Sequence, residues 1–235
     1  MFCGYLWEKG RREKNQDSLA FWHMKKGKCQ KVIAVLCDGI GGLEQGEEAS
    51  SYVVRQLINW FMAEGYRMSL KKQQKMIQQL CFQTHQELQD YGCENAIHLG
   101  TTIAVVLMEN KKISWLYTGD CRIYLFREGK VKQLTGEHHD KNGKLTRAIG
   151  VGEWHLLSLG CRKLRNKERI LICSDGFYRN LTTEELGMWN KRRIANGSQA
   201  DRMLKQIFHK KISNGEQDNI SALYFGYMDG QGEQA

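Results

Sequence analysis

Five aspartates stand where apolar runs begin or end, and they are spread over the whole chain. The run Val32–Cys37 stops at Asp38 and is followed by Gly39, Gly41 and Gly42. Ile170–Cys173 leads into Ser174-Asp175-Gly176, and Trp115–Thr118 into Gly119-Asp120. Asp218 and Asn219 introduce the run Ile220–Tyr227, and Asn15-Gln16-Asp17 introduces Leu19–Trp22. A short, partly β-branched run bounded by a turn signal reads as a buried strand. Each carboxylate would then emerge at a strand end, and the bare backbone of Gly39 could approach a ligand closely. Carboxylates beside a carbonyl suit a hard cation. No His or Cys ligand pattern accompanies them, so the set favours Mg2+ or Mn2+ over zinc or copper. Two such ions can activate a water and stabilise the leaving oxygen of a phosphoryl group. A phosphate oxyanion also suits a planar guanidinium, and Arg12 precedes Asp17 by five residues. No Ser/His/Asp order or nucleophilic cysteine signature competes, so direct attack by water fits better than a covalent enzyme intermediate. Asp-Gly is also an ordinary turn pair. It is the recurrence that favours one convergent, oxygen-rich site.

Positioning those strand ends needs a sheet-rich frame. Phe2–Trp7, Ser18–His23 and Val32–Cys37 are predicted strands. Ala49, Val53, Leu57, Trp60 and Phe61 share one face of a helix that Gly65 ends. Ser69 can cap a second helix, with Ile77, Leu80, Cys81, Thr84, Leu88 and Tyr91 on one face. His85, beside that face, reads as structural. The period then changes to strands at 101–108, 112–119, 122–127 and 130–134, a polar break at 137–144, and strands at 156–159 and 169–174. Thr182-Thr183-Glu184-Glu185 is a capping box opening a short helix. Ser198 with Asp201 opens another, and Ile220–Tyr227 closes the sheet. Antiparallel runs interrupted by helix pairs suggest an α+β chain: two packed sheets with helices outside.

The 235 residues carry no Pro/Ser-rich linker or charge block, which predicts a single domain over 1–235. The N-terminus lacks a charged-then-apolar leader pattern, and no apolar run approaches the roughly 20 residues needed to span a bilayer. The eight cysteines form no C-x-x-C pair and several lie inside apolar runs. A cytoplasmic protein with reduced thiols and no membrane association is expected. The net charge of +9 is scattered, without a stripe interleaved with aromatics, so a solvated basic surface suiting acidic or phosphorylated partners is favoured over nucleic acid.

At this point the motifs resemble a family. Arg12-x-x-Asn15-Gln16-Asp17, Asp38-Gly39-x-Gly41-Gly42, Gly100-Thr101-Thr102, Gly119-Asp120-x-Arg122, Leu145-Thr146-Arg147-Ala148-Ile149-Gly150, Ser174-Asp175-Gly176 and Asp218-Asn219-Ile220 are similar, in order, to those of the PP2C-type (PPM) metal-dependent Ser/Thr protein phosphatases of bacterial type. The resemblance covers nearly the whole chain and implies a PP2C-like αββα sandwich with metals at one end. It implies two Mn2+ or Mg2+ ions: Asp38 bridging both, Asp175 and Asp218 completing the first, Asp17 and the Gly39 carbonyl holding the second. A third, weaker ion would sit near Asp120, sharing Asp175. Arg12 would clamp the substrate phosphate. The implied activity is hydrolysis of phosphoserine and phosphothreonine on proteins, a Ser/Thr kinase and its substrates among the partners, by a monomer. A catalytically inactive binding module is the alternative. Gly100, Thr101, Thr102 and Arg122 read as structural.

The sequence departs from the family in several places. Ile40 occupies a position where some members carry a His that could act as general acid. Glu137-His138-His139 replaces a D-H motif, and neither histidine is given a catalytic role. Only Asp140–Lys144 stands where bacterial members carry a flap of some thirty residues, so the site should be open and small aryl phosphates readily hydrolysed. Cys37, Cys121 and Cys173 each lie within two residues of a site aspartate. Ordinary packing is the preferred reading, and an oxidation-sensitive site the other.

Overall fold

Alternation along the central strands decides which core each side chain enters. The computed structural model describes residues 1–227 apart from 42, 44, 128, 180 and 191–193, so Gly42 of the glycine motif lies outside the described residues. One sheet runs, in spatial order, β1 (Phe2–Glu8), β10 (Ile220–Gly226), β9 (Arg169–Cys173), β6 (Arg122–Arg127) and β7 (Lys130–Gln133). The other runs β2 (Asp17–Lys26), β3 (Cys29–Asp38), β4 (Ile103–Glu109), β5 (Lys112–Thr118) and β8 (Ser158–Lys163). All these neighbours pair antiparallel. In β3, Val32, Ala34 and Leu36 face the other sheet, whereas Ile33, Val35 and Cys37 face the helices α1 (Gly46–Ala63) and α2 (Leu70–Asn95). β4 divides in the same way. On the far side, Ala222 and Tyr224 of β10 pack with α3 (Asp175–Tyr178), α4 (Thr183–Asn190) and α5 (Gly197–Ser213), while Leu223 and Phe225 point between the sheets. Strands buried on both faces read as unbroken apolar runs, which is how β3, β9 and β10 announce themselves in the sequence. The result is the expected α+β sandwich: helices, sheet, sheet, helices.

Local signals held or failed for identifiable reasons. Thr182 and Glu185 exchange the reciprocal hydrogen bonds of a capping box. Ser69 occupies the N-cap of α2 but makes no capping bond. α5 is capped two residues earlier than expected, by Asn196, whose side chain accepts from the Gln199 N–H at 3.0 Å. The strand expected at 156–159 runs Ser158–Lys163, because its register is set by pairing with β5. Leu156 is left outside the strand and 70% exposed. α3 carries no 3.6-residue stripe long enough to read. In place of a flap, a tight turn bridges His139 to Leu145, and Asp140 Oδ1 accepts the N–H groups of Asn142 and Lys144 at 2.8 and 2.9 Å. No helix among the described residues is long and apolar enough to cross a membrane.

Candidate active site

Antiparallel pairing of β2 with β3 sets Asp17 directly across from Asp38 at one end of the sandwich. That end also gathers Asp120 after β5, Asp175 after β9 and Asp218 before β10. Burial pushes the largely enclosed Asp38 carboxyl well above the usual carboxylate range, and Asp17, Asp175, Asp120 and Asp218 each push it further. All five predicted carboxylates therefore feel one another across one site, although they come from separate segments.

Asp17 is the most enclosed. It is 1% exposed, and neither carboxylate oxygen makes a hydrogen bond. Burial raises it to about 7; the nearby Ser221 and Ser174 hydroxyls oppose the shift, and Asp175 and Asp218 add to it. Asp175 is pushed up to about 6, first by burial, with Arg179 opposing and Asp218 and Asp120 reinforcing. Asp120 is raised by burial, its shift moderated by His139, whose Nε2 lies 3.2 Å from Oδ2.

The neighbouring backbone fixes these positions. Thr102 donates its N–H to the Asp38 carbonyl at 2.9 Å and accepts the Asp38 N–H on Oγ1 at 3.1 Å, and Thr101 Oγ1 donates to the same carbonyl at 2.9 Å. The structural reading of both threonines holds, with Asp38 as what they position. Gly39 donates to the Gln16 carbonyl at 3.0 Å, and a Cβ there would fall 2.4 Å from the Gly46 carbonyl oxygen, so only glycine fits. Gly119 turns the chain at φ +97° into Asp120, a conformation side-chain-bearing residues rarely adopt. Arg122 is structural as expected: it pairs with Glu137 and lies over the Tyr178 ring at 3.6 Å. His85 is also structural, accepting the Gly150 N–H at 3.1 Å.

Two cations face the cluster. Arg12 sits on Asp218 through two bonds, Nε to Oδ1 at 3.1 Å and Nη2 to Oδ2 at 3.2 Å, and is 47% exposed. Arg179 pairs with Asp175, reaches Glu216 Oε1 at 3.2 Å and lies 3.6 Å from Asp218 Oδ2. Arg179 was missed in the sequence because it belongs to none of the ordered motifs. Asn219 carries no functional signal of its own in the sequence. Its side chain accepts from the Gln16 N–H and donates to the carbonyls of Lys9 and Lys14, fastening the loop that carries Arg12 and Asp17. His138 is structural, stacked on Tyr117 and accepting the Gly119 N–H. His139 comes closer to the site than expected through its contact with Asp120.

Among the described residues no three His, Cys, Asp or Glu side chains close into a ready-made metal shell. Arg12 and Arg179 engage the outer pair, Asp218 and Asp175. The donor chemistry nonetheless fits a hard cation. Asp17 presents two buried oxygens with no partner, which is costly unless a counter-charge is supplied, and four like-charged groups press on Asp38. Cys37, Cys121 and Cys173 are buried and free, and burial pushes all three thiols up. The reactive thiolate is suppressed, which favours packing over oxidation sensitivity.

Comparison with known proteins gives the same grouping. The sequence profile of the protein phosphatase 2C family matches residues 9–212. The serine/threonine phosphatase stp of Listeria innocua is 24% identical, the match spanning 95% of this chain and 94% of that protein. The serine/threonine phosphatase structure from S. agalactiae superposes with TM-score 0.82 at 22% identity, covering 94% of this chain and 97% of that one. That of Stp1 from Staphylococcus aureus also gives 0.82 at 22% identity, covering 94% and 93%. With its ordered motifs, two five-stranded sheets and one acidic end, the chain belongs to the protein phosphatase 2C family.

Proposed function

We propose that this protein hydrolyses phosphoserine and phosphothreonine on other proteins with two divalent cations, Mn2+ or Mg2+, at its acidic end. The observation that carries the proposal is the meeting of five carboxylates from five distant segments around the unpartnered Asp17 oxygens. An inactive binding module would have no reason to sustain that repulsion. The experiment is dephosphorylation of a phosphothreonine peptide and of p-nitrophenyl phosphate with Mn2+. A purified, folded protein inert to both would defeat the reading.

Asp38 would contact both ions, Asp175 and Asp218 would complete the first, and Asp17 with the Gly39 carbonyl would hold the second. Asp120, sharing Asp175, would serve a third. Bound there, the ions would supply a water of lowered pKa and a positive field for the leaving oxygen. The chain's own work is to hold these oxygens rigidly, with Thr101 and Thr102 locking Asp38 and Asn219 locking the Arg12 loop. No His follows Gly39, so no side chain there delivers a proton to the leaving alkoxide. Residues 1–235 serve as one cytoplasmic catalytic domain, acting as a monomer. The five-residue turn in place of a flap leaves the entrance open to small aryl phosphates.

Arg12 matches a phosphate fork: exposed, planar and already bidentate on a carboxylate. Arg12→Ala should lower kcat/KM on a phosphopeptide by about 100-fold. Arg12→Lys should recover only part, because an ammonium cannot reproduce the fork. Equal activity of the Lys variant and wild type in steady-state assays would remove the bidentate role.

Arg179 acts as an internal counter-ion to Asp175 and Asp218. A cation using those carboxylates must displace it, so Arg179→Met should bind Mn2+ roughly tenfold more tightly in calorimetric titration, a charge-assisted hydrogen bond being worth about 1.5–3 kcal/mol. Unchanged or weaker Mn2+ affinity would mean that Arg179 does not compete.

A further inference from the structure

The opposite end of the sandwich carries the reverse charge. β2 runs from Asp17 to Lys26, and β5 from Lys112 to Thr118, just before Asp120. The seven residues of β5 span roughly 20 Å. At the far end a cavity of about 590 Å3 is lined by Lys111, Arg162, Lys163, Leu164, Arg165 and Asn166. Its wall is braced from behind. Glu168 is fully buried; its two oxygens accept from Arg162 Nη2 at 3.0 and 3.1 Å, and Oε2 also accepts the Arg165 N–H at 2.7 Å. The Leu164 N–H donates to the Lys111 carbonyl, tying the β8–β9 loop to the β4–β5 turn. The Glu168 carboxylate behind the lining is thus committed to Arg162, to the Arg165 amide and, at 4.0 Å, to Arg127. The exposed side chains of Lys111, Lys163 and Arg165 have no ion-pair partner among the described residues.

We infer that this basic cavity is a docking site for an acidic segment of the protein substrate, about 20 Å from the phosphorylated residue in the active site. The inference rests on the proposed phosphatase activity. Three cations around one concavity, without an ion-pair partner among the described residues, suit a chain bearing several carboxylates or phosphates. The cations are gathered in one hollow rather than laid out as a stripe, and among the described residues no aromatic ring lines it for base stacking, which disfavours nucleic acid. β8 connects the two ends. Ser158 at its start contacts His138 beside the active site, Lys163 at its end lines the cavity, and β8 is the edge of its sheet. An extended segment lying along that edge passes the exposed Leu159, and about six or seven residues cover the distance.

The test uses the full chain and the double charge reversal Lys111→Glu/Arg165→Glu, neither residue belonging to the catalytic machinery. A fluorescein-labelled octaglutamate peptide should bind wild type in an anisotropy titration, weaken with added salt, and bind the variant at least tenfold less tightly. With Mn2+, the variant should keep wild-type kcat and KM on p-nitrophenyl phosphate. Its KM should rise at least fivefold on a phosphothreonine peptide carrying a glutamate run seven residues away, and stay unchanged on the same peptide with glutamines. Equal octaglutamate affinity of the two proteins would overturn the site. So would a single-stranded DNA of matched charge binding wild type more than tenfold more tightly than octaglutamate, since that would assign the cavity to nucleic acid. Wild type inert to p-nitrophenyl phosphate would sink the phosphatase reading and the substrate role with it. An active enzyme blind to the glutamate run would sink the docking site alone.

Discussion

Asp38→Asn should abolish phosphatase activity, lowering kcat on p-nitrophenyl phosphate with Mn2+ by on the order of 1000-fold or more, while the folded protein becomes more heat-resistant in chelator. Both effects follow from one position. Asp38 sits at the end of β3, across from Asp17, and four other aspartates push its carboxyl upward in addition to burial. A carboxylate under that pressure destabilises the fold and is retained for what it binds. Asparagine keeps the shape and removes the charge, so repulsion across the site drops. The melting temperature without added metal should rise by roughly 5 °C. The backbone at residue 38 is held by Thr101 and Thr102 through main-chain groups, so the substitution leaves the frame intact. The checks are steady-state kinetics with Mn2+ and thermal denaturation in chelator. Retained activity would remove Asp38 from the centre of the site. A fall in melting temperature would mean that its carboxylate makes net favourable contacts there.

The acidic end was legible in the sequence because β3, β9 and β10 are buried on both faces, and such strands are unbroken apolar runs whose ends stand out. That Asp17, Asp38, Asp120, Asp175 and Asp218 lie together was readable from recurrence and motif order. Their enclosure was not, since burial is a property of the packed sheets. The weaker elements were misplaced where the local signal competes with tertiary context. Leu156 and Leu159 look like core residues, but β8 takes its register from β5 and leaves both exposed. Asn196 wins the cap of α5 from Ser198 because either residue can accept from the first turn, and local sequence alone does not choose. Arg179 and Asn219 were invisible as functional groups for a different reason. Apart from Asp175, four residues before Arg179, their partners, Glu216 and Asp218 for the first and Lys9, Lys14 and Gln16 for the second, lie 37 or more residues away in the chain. The basic cavity shows the same limitation. Its cations are ordinary surface residues until the β4–β5 turn and the β8–β9 loop bring them together.

Stripped of divalent cations, the protein should lose stability as pH rises from about 5 to 8, against the usual expectation for an acidic cluster. Folding raises Asp17 to about 7 and Asp175 to about 6, and raises Asp38 and Asp120 as well. Unfolded, each titrates near 4. A group whose folded pKa lies above its unfolded one contributes stability that is fully present below the unfolded value. That contribution is lost as pH climbs through the folded value. Between about 4 and 7 the native state therefore holds protons that the unfolded chain has released, and each step upward in pH favours unfolding. For the buried Asp17 alone the shift corresponds to a fall in melting temperature on the order of 10 °C. Asp17→Asn should flatten the slope. Divalent cations reverse the trend, because they bind the deprotonated ligands and compete with these same protons. The increase in melting temperature produced by saturating Mn2+ should accordingly be small at pH 5 and largest near pH 8. Thermal melts across that range, with chelator and with Mn2+, decide the matter. A melting temperature in chelator that rises with pH, or an Mn2+ effect that does not grow with it, would mean that the carboxylates are not the charged, counter-ion-seeking cluster their enclosure implies.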